Sequence, residues 1–157
     1  MSRHEPFSVA RTEELVAQHL HLEGPLLPIL HAVQEVFGFV PEAAVPVVAS
    51  GLNVSRADVH GVVTFYEDFH QKPDGEHVVK ICRAEACQSM GGEELAAHAE
   101  RCLGVSFGQT SADGQVTLEK VFCLGLCATA PAAMVNGDLR GRLSRAGVEA
   151  IAREVGR

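Results

Sequence analysis

The chain has 157 residues, 46% of them apolar, enough for one ordinary domain or two very small ones with buried cores. A formal charge of −7 argues against nucleic acid as a partner, since phosphate binding relies on clustered Lys and Arg. No apolar run reaches the length of about eighteen residues that spans a bilayer, and the opening MSRHEPFSVARTEEL has no secretory core, so a cytoplasmic protein without membrane insertion is expected.

The charge is uneven. Residues 1–70 hold three arginines against nine carboxylates, whereas bases and acids nearly balance from residue 71 onward. The shift predicts a boundary there, with a helical bundle over 1–71 and a second domain over 72–157.

Residues 1–10 contain Pro6 and little periodicity, which predicts a flexible, frayed tail. A first helix is expected from Thr12 as N-cap, with Glu13 and Glu14 at the positive end of its dipole and Leu15, Val16, His19 and Leu22 as the apolar stripe. The second runs from about Pro28 to Phe37 and stops at Gly38. Pro41 opens a third, closed by Gly51, although Pro46 in its first turns predicts a late or kinked start. Ser55 and Asp58 form a capping box for a fourth, which leads into Phe65, Tyr66 and Phe69. Short turns join these segments into a small antiparallel bundle.

Lys72-Pro-Asp-Gly75 is a turn, and the pattern beyond it is mixed. His77–Ile81 alternates as a strand that ends at Cys82. A helix follows from Glu93 to about Leu103, with Leu95, Ala99, Cys102 and Leu103 inward. After a hairpin-type turn at Ala112-Asp-Gly114, a second strand over Val116–Phe122 ends at Cys123. Ala132–Val135, the turn Asn136-Gly137, a partner strand over Leu139–Leu143 and a helix capped by Ser144 complete a mixed sheet with helices against it.

Chemistry concentrates in Cys82, Cys87, Cys123 and Cys127, spaced C-x4-C and, thirty-six residues on from Cys87, C-x3-C. Cytosolic thiols are kept reduced, and five cysteines in disulfides would strand one. Cys102 on its apolar helix face reads as a core thiol. Three chemistries compete for the other four. Structural zinc tolerates these spacings but usually stabilises domains too small to fold alone. A redox disulfide prefers C-x-x-C at a helix start, which neither pair has. An iron–sulfur cluster takes four thiolates, and two separated pairs favour the two-iron form with one pair on each iron. Around the second pair, Gly125 and small neighbours allow backbone amides to face sulfur, and Arg83 beside Cys82 could offset its charge. No histidine has a paired metal spacing, and no phosphate loop or hydrolase motif is present.

The segments Leu30-His-Ala-Val-Gln-Glu35, Phe37-Gly-Phe-Val-Pro41, Val59-His-Gly-Val-Val-Thr-Phe-Tyr66, the first cysteine pair and Cys123-Leu-Gly-Leu-Cys127-Ala-Thr-Ala-Pro131-Ala-Ala-Met-Val-Asn136 form one pattern from Leu26 to the C-terminal helix. In it the sequence resembles the small thioredoxin-like [2Fe-2S] subunits of respiratory complex I, NAD-linked formate dehydrogenases and bidirectional hydrogenases. The resemblance implies an α/β chain, a thioredoxin-like mixed sheet with flanking helices preceded by a helical bundle. It also implies one [2Fe-2S] cluster on Cys82, Cys87, Cys123 and Cys127, and an electron-transfer rather than a catalytic role. Ile81-Cys-Arg-Ala-Glu-Ala-Cys-Gln-Ser-Met90 most resembles the gamma subunit of cytosolic formate dehydrogenase, which converts formate and NAD⁺ to CO₂ and NADH. The implied partners are an FMN- and NAD-binding diaphorase subunit and a larger catalytic, iron–sulfur subunit with a molybdenum or tungsten cofactor. An equivalent subunit of complex I or a hydrogenase is the alternative, and a zinc-stabilised interaction module the alternative of another class.

Overall fold

The computed structural model describes residues 4–157, and its contacts separate into one unit through Pro73 and another from Asp74 to Arg157. The first unit holds α1 (Val9–His19), α2 (Leu26–Phe37), α3 (Ala44–Leu52) and α4 (Arg56–Phe65). Ile29, Leu30, Val33, Val48 and Val59 are fully buried and form its core.

Several boundaries differ from expectation. Ser8 rather than Thr12 caps α1, its hydroxyl accepting from Arg11 N; Thr12 is buried inside the helix and donates to the Ser8 carbonyl at 2.9 Å. Leu22 lies beyond the helix and is exposed, so the apolar stripe ends sooner. Of the expected frayed tail, residues 1–3 lie outside the described residues, while Glu5 N donates to Val36 O at 3.0 Å and the Phe7 ring meets Phe37 edge-on at 5.5 Å. α3 starts at Ala44, which places Pro46 in the first turn where its missing N–H costs nothing. Gly51 does not close it. A Cβ there would stand 2.6 Å from Val16 Cγ1, so glycine permits the close approach of α1, and Asn53 caps the helix instead. The capping box of α4 is as expected, with Asp58 N donating to Ser55 Oγ and Ser55 N to Asp58 Oδ2.

The second unit is a mixed α/β layer of β1 (His77–Cys82), α5 (Glu85–Ser89), α6 (Gly92–Leu103), β2 (Gln109–Thr110), β3 (Val116–Val121), β4 (Ala133–Val135), β5 (Asp138–Arg140) and α7 (Arg145–Glu154). The sheet order is β2-β3-β1-β4-β5, with β1 and β3 parallel and the other neighbours antiparallel. Val79, Val116, Leu118 and Ala133 are fully buried beneath Leu95, Ala96, Ala99 and Leu103 of α6 and Val148, Ile151 and Ala152 of α7. Cys102 is half-buried against this core, as a packing thiol should be.

Two elements escaped the sequence: β2, two exposed residues without periodicity, and α5, a single helical turn. β5 begins before Leu139 and stops at Arg140, and β3 ends before Phe122, whose ring is 62% exposed. Among the described residues no helix is long and apolar enough to cross a membrane.

The turn before β3 is tied to the C-terminus by Asp113. Its Oδ1 accepts from Ser111 Oγ at 2.6 Å, Gln115 N at 3.2 Å and Arg157 Nη2 at 2.6 Å. The Ser111 and Gln115 hydrogen bonds, then Arg157, hold its carboxyl down to about 2. Such a group stabilises the fold in full above its unfolded value, and the contribution disappears as pH falls through the folded one. Asp113→Asn is therefore expected to lower the melting temperature near neutral pH, with the difference closing as pH falls from the ordinary carboxylate range of about 4 toward about 2.

Gly92, the first residue of α6, packs on the preceding turn: a Cβ there would stand 2.5 Å from Cys87 O and 2.9 Å from Cys87 C. Backbone cannot yield as a flexible side chain can. Gly92→Ala is expected to cost about 1–3 kcal/mol, read as a lower urea midpoint with an unchanged slope.

Candidate metal centre

β1 and β3 run parallel and in register, Cys82 opposite Val121, so the chain leaves both strands at one edge of the sheet. Cys82 is the last residue of β1, and Cys123 lies just past the end of β3. Neighbouring parallel strands thereby bring together two cysteine pairs 36 residues apart in sequence. Cys82 N donates to Ala132 O at 3.0 Å and Arg83 N to Val121 O at 2.7 Å, which continues the pairing to the site.

The first pair is interior. Cys82 and Cys87 are each 2% exposed and lie with buried Ala132, surrounded by Ala84, Val121, Leu124, Leu126 and Ala130. Cys87 is carried inward on α5 rather than on an open loop, and Gln88 Nε2 donates to the Arg83 carbonyl at 2.9 Å across that turn. The second pair is at the surface, with Cys123 and Cys127 both exposed. Cys123 has φ 106°, a backbone conformation uncommon for a residue bearing a Cβ. Gly125 N donates to Cys123 Sγ at 3.3 Å, and Cys127 opens a 3-10 turn through Thr129.

The electrostatics are those of crowded thiols. Burial pushes the Cys82 thiol up, but hydrogen bonds from Ala84, Cys87, Cys123 and Leu124 outweigh it and the net direction is down. Burial pushes Cys87 up, joined by the Cys82 thiol and by charge on Cys82 and Cys127, with Ala132 acting against it. Hydrogen bonding and charge from Cys123 raise Cys127, and burial and Cys82 add to this. Ionisation is thus favoured at Cys82 and disfavoured at Cys87 and Cys127.

The outer pair has the spacing of tetrahedral metal ligands. Cys123 Sγ and Cys127 Sγ are 3.7 Å apart, close to the edge of about 3.8 Å that a tetrahedral metal with 2.3 Å bonds to sulfur requires. Two pairs carried on separate segments suit two metal atoms, one for each pair.

Arg83 does not turn toward the sulfurs. Its guanidinium donates to Glu93 Oε2 at 2.5 Å and lies over the Phe107 ring, 5.5 Å from the centroid. Backbone alternation explains this, since Cys82 and Arg83 face opposite sides at the strand end. Sequence reasoning missed Gly92, Gln88, Glu93 and Phe107 as supports of the first pair. The glycine pair Gly91-Gly92 just after Cys87 was the one available signal, because a close backbone approach favours glycine.

The sequence profile of the family described as thioredoxin-like [2Fe-2S] ferredoxin matches residues 12–156. One NADH-quinone oxidoreductase subunit of Pseudomonas aeruginosa is 36% identical over 147 residues, covering 90% of this chain and 89% of that protein. The NADP-reducing hydrogenase subunit HndA of Solidesulfovibrio fructosivorans is 33% identical over 132 residues, covering 84% and 77%. In fold, 83% of this chain superposes on 22% of a chain of an NAD⁺-reducing [NiFe]-hydrogenase in its H₂-reduced state, with a TM-score of 0.72 and 23% identity. With a mixed sheet that gathers two cysteine pairs at one edge and a family match over nearly its whole length, the chain belongs to the thioredoxin-like [2Fe-2S] ferredoxins.

Proposed function

We propose that Cys82, Cys87, Cys123 and Cys127 hold one [2Fe-2S] cluster, and that the chain is a cytoplasmic electron-transfer subunit placed against an FMN- and NAD-binding partner. The observation that carries this is the gathering of the two cysteine pairs where parallel β1 and β3 end, with the outer sulfurs 3.7 Å apart, near a tetrahedral edge. Four thiolates with apolar walls and facing amides are the donor set that the cluster needs.

Bound there, the cluster supplies a one-electron donor and acceptor. The chain's residues set its surroundings. The inner pair, 2% exposed, excludes water from one side, while backbone groups of Ala84, Cys123, Leu124 and Ala132 and the Gly125 amide soften the negative charge on sulfur. The exposed outer pair leaves the other side open to an electron partner, and distance governs that exchange. No side chain here is assigned a catalytic role. The domain division proposed with this reading is a helical bundle over 1–71 and a ferredoxin domain over 72–157.

The parent enzyme rests on two observations that point apart. The relatives named above are subunits of NADH-quinone oxidoreductase and of a hydrogenase, and support a parent of that type. The segment Ile81–Met90 supports an NAD-linked formate dehydrogenase, in which a molybdenum or tungsten subunit oxidises formate and a diaphorase subunit reduces NAD⁺. Purification of the native assembly decides: a molybdenum- or tungsten-containing subunit with formate-dependent NAD⁺ reduction selects the second, and a quinone- or hydrogen-linked assembly overturns it.

Alanine at any one of Cys82, Cys87, Cys123 or Cys127 is expected to abolish or severely destabilise the cluster, read from visible absorption, EPR after reduction, and iron and sulfide content. Cys102→Ala should keep it and cost about 1 kcal/mol of packing. A colourless chain holding one zinc ion would overturn the reading.

A further inference from the structure

The two cysteine pairs are unequal in ways that electron transfer does not require. The inner sulfurs are closed off: Cys82 and Cys87 are 2% exposed and covered by Leu124 and Leu126, which belong to the segment that carries Cys123 and Cys127. They are also held firmly. Arg83 uses its amide on Val121 O, its carbonyl on Gln88 and its guanidinium on Glu93 and Phe107, while Gly92 presses on the Cys87 backbone. The outer sulfurs are exposed, and the Gly125 amide facing Cys123 comes from within their own loop.

Thiolate exchange proceeds only where an incoming centre can reach the sulfur. We infer that uptake of the cluster is ordered. Cys123 and Cys127 take it first from a thiolate-ligated [2Fe-2S] donor, and Cys82 and Cys87 displace the last two donor thiolates as the 122–127 segment closes over them. At each of the four exchanges a cysteine thiol gives up its proton, its sulfur bonds to iron, and one donor thiolate leaves carrying that proton as a thiol. Iron and sulfide keep their oxidation states, so no oxidant or reductant is consumed. Arg83 acts here as a positioning residue, keeping the inner pair in place to receive the second iron.

The inference rests on the ligand set proposed above, and the experiment separates the two. The full apo chain is mixed with the [2Fe-2S] complex of four glutathione thiolates and followed by visible circular dichroism, native mass spectrometry and glutathione release. Wild type should show two phases, a first whose rate rises with donor concentration and a second independent of it, each releasing two glutathiones. Cys82→Ser with Cys87→Ser, or the alanine pair that keeps the site apolar, should stop with two glutathiones still attached. Cys123→Ser with Cys127→Ser should slow capture about tenfold or more. Arg83→Met should slow the second phase only, with the wild-type rate recovered in an Arg83→Glu, Glu93→Arg pair. One donor-dependent phase that releases all four glutathiones, or arrest in the outer variants rather than the inner ones, overturns the order while leaving the ligand set intact. Failure of wild type to take up the cluster at all overturns both.

Discussion

The parallel pairing of β1 with β3 is the constraint on which the site depends. Each strand ends where a cysteine loop begins, and in a parallel pair both ends lie at the same edge of the sheet, as the register of Cys82 with Val121 shows. An antiparallel pairing of the same two strands would have sent the loops to opposite edges. The crossover that parallel pairing demands is supplied by α5, α6 and the short β2, and it places Cys87 and Gly92 beside Cys82 rather than across the sheet.

What surrounds the sulfurs follows from their depth. Cys82 and Cys87 continue the hydrophobic interior to the sheet edge, where Ala132 and the leucines of the second loop close the wall. Burial and neighbouring sulfurs work against ionisation of Cys87 and Cys127, and backbone hydrogen bonds favour it at Cys82. Arg83, the one nearby cation expected to help, is committed to Glu93 and Phe107, so it contributes through position rather than charge.

The helical unit obeys the same logic of local signals corrected by packing. Ser55 and Asp58 cap α4 as a local motif should, because both partners are within one turn. Thr12 carries an equally good capping side chain, yet it is buried and the helix starts earlier at Ser8, since burying Leu15 and Val16 against α3 matters more than which hydroxyl caps. Gly51 similarly reads as a stop and serves as a contact.

The sequence by itself determined the element types with strong periodicity, the capping box of α4, the set-aside of Cys102 and the identity of four candidate ligands. Each of these depends on residues near one another in the chain. Only the tertiary structure decided which strands pair and in what direction, that Cys87 rides on a helical turn, that one pair is buried and the other exposed, and that Arg83 faces away from sulfur. Spacing along a chain states which thiols can share a loop, but the distance between loops and the depth of each sulfur come from packing between segments 36 residues apart, which no local pattern encodes.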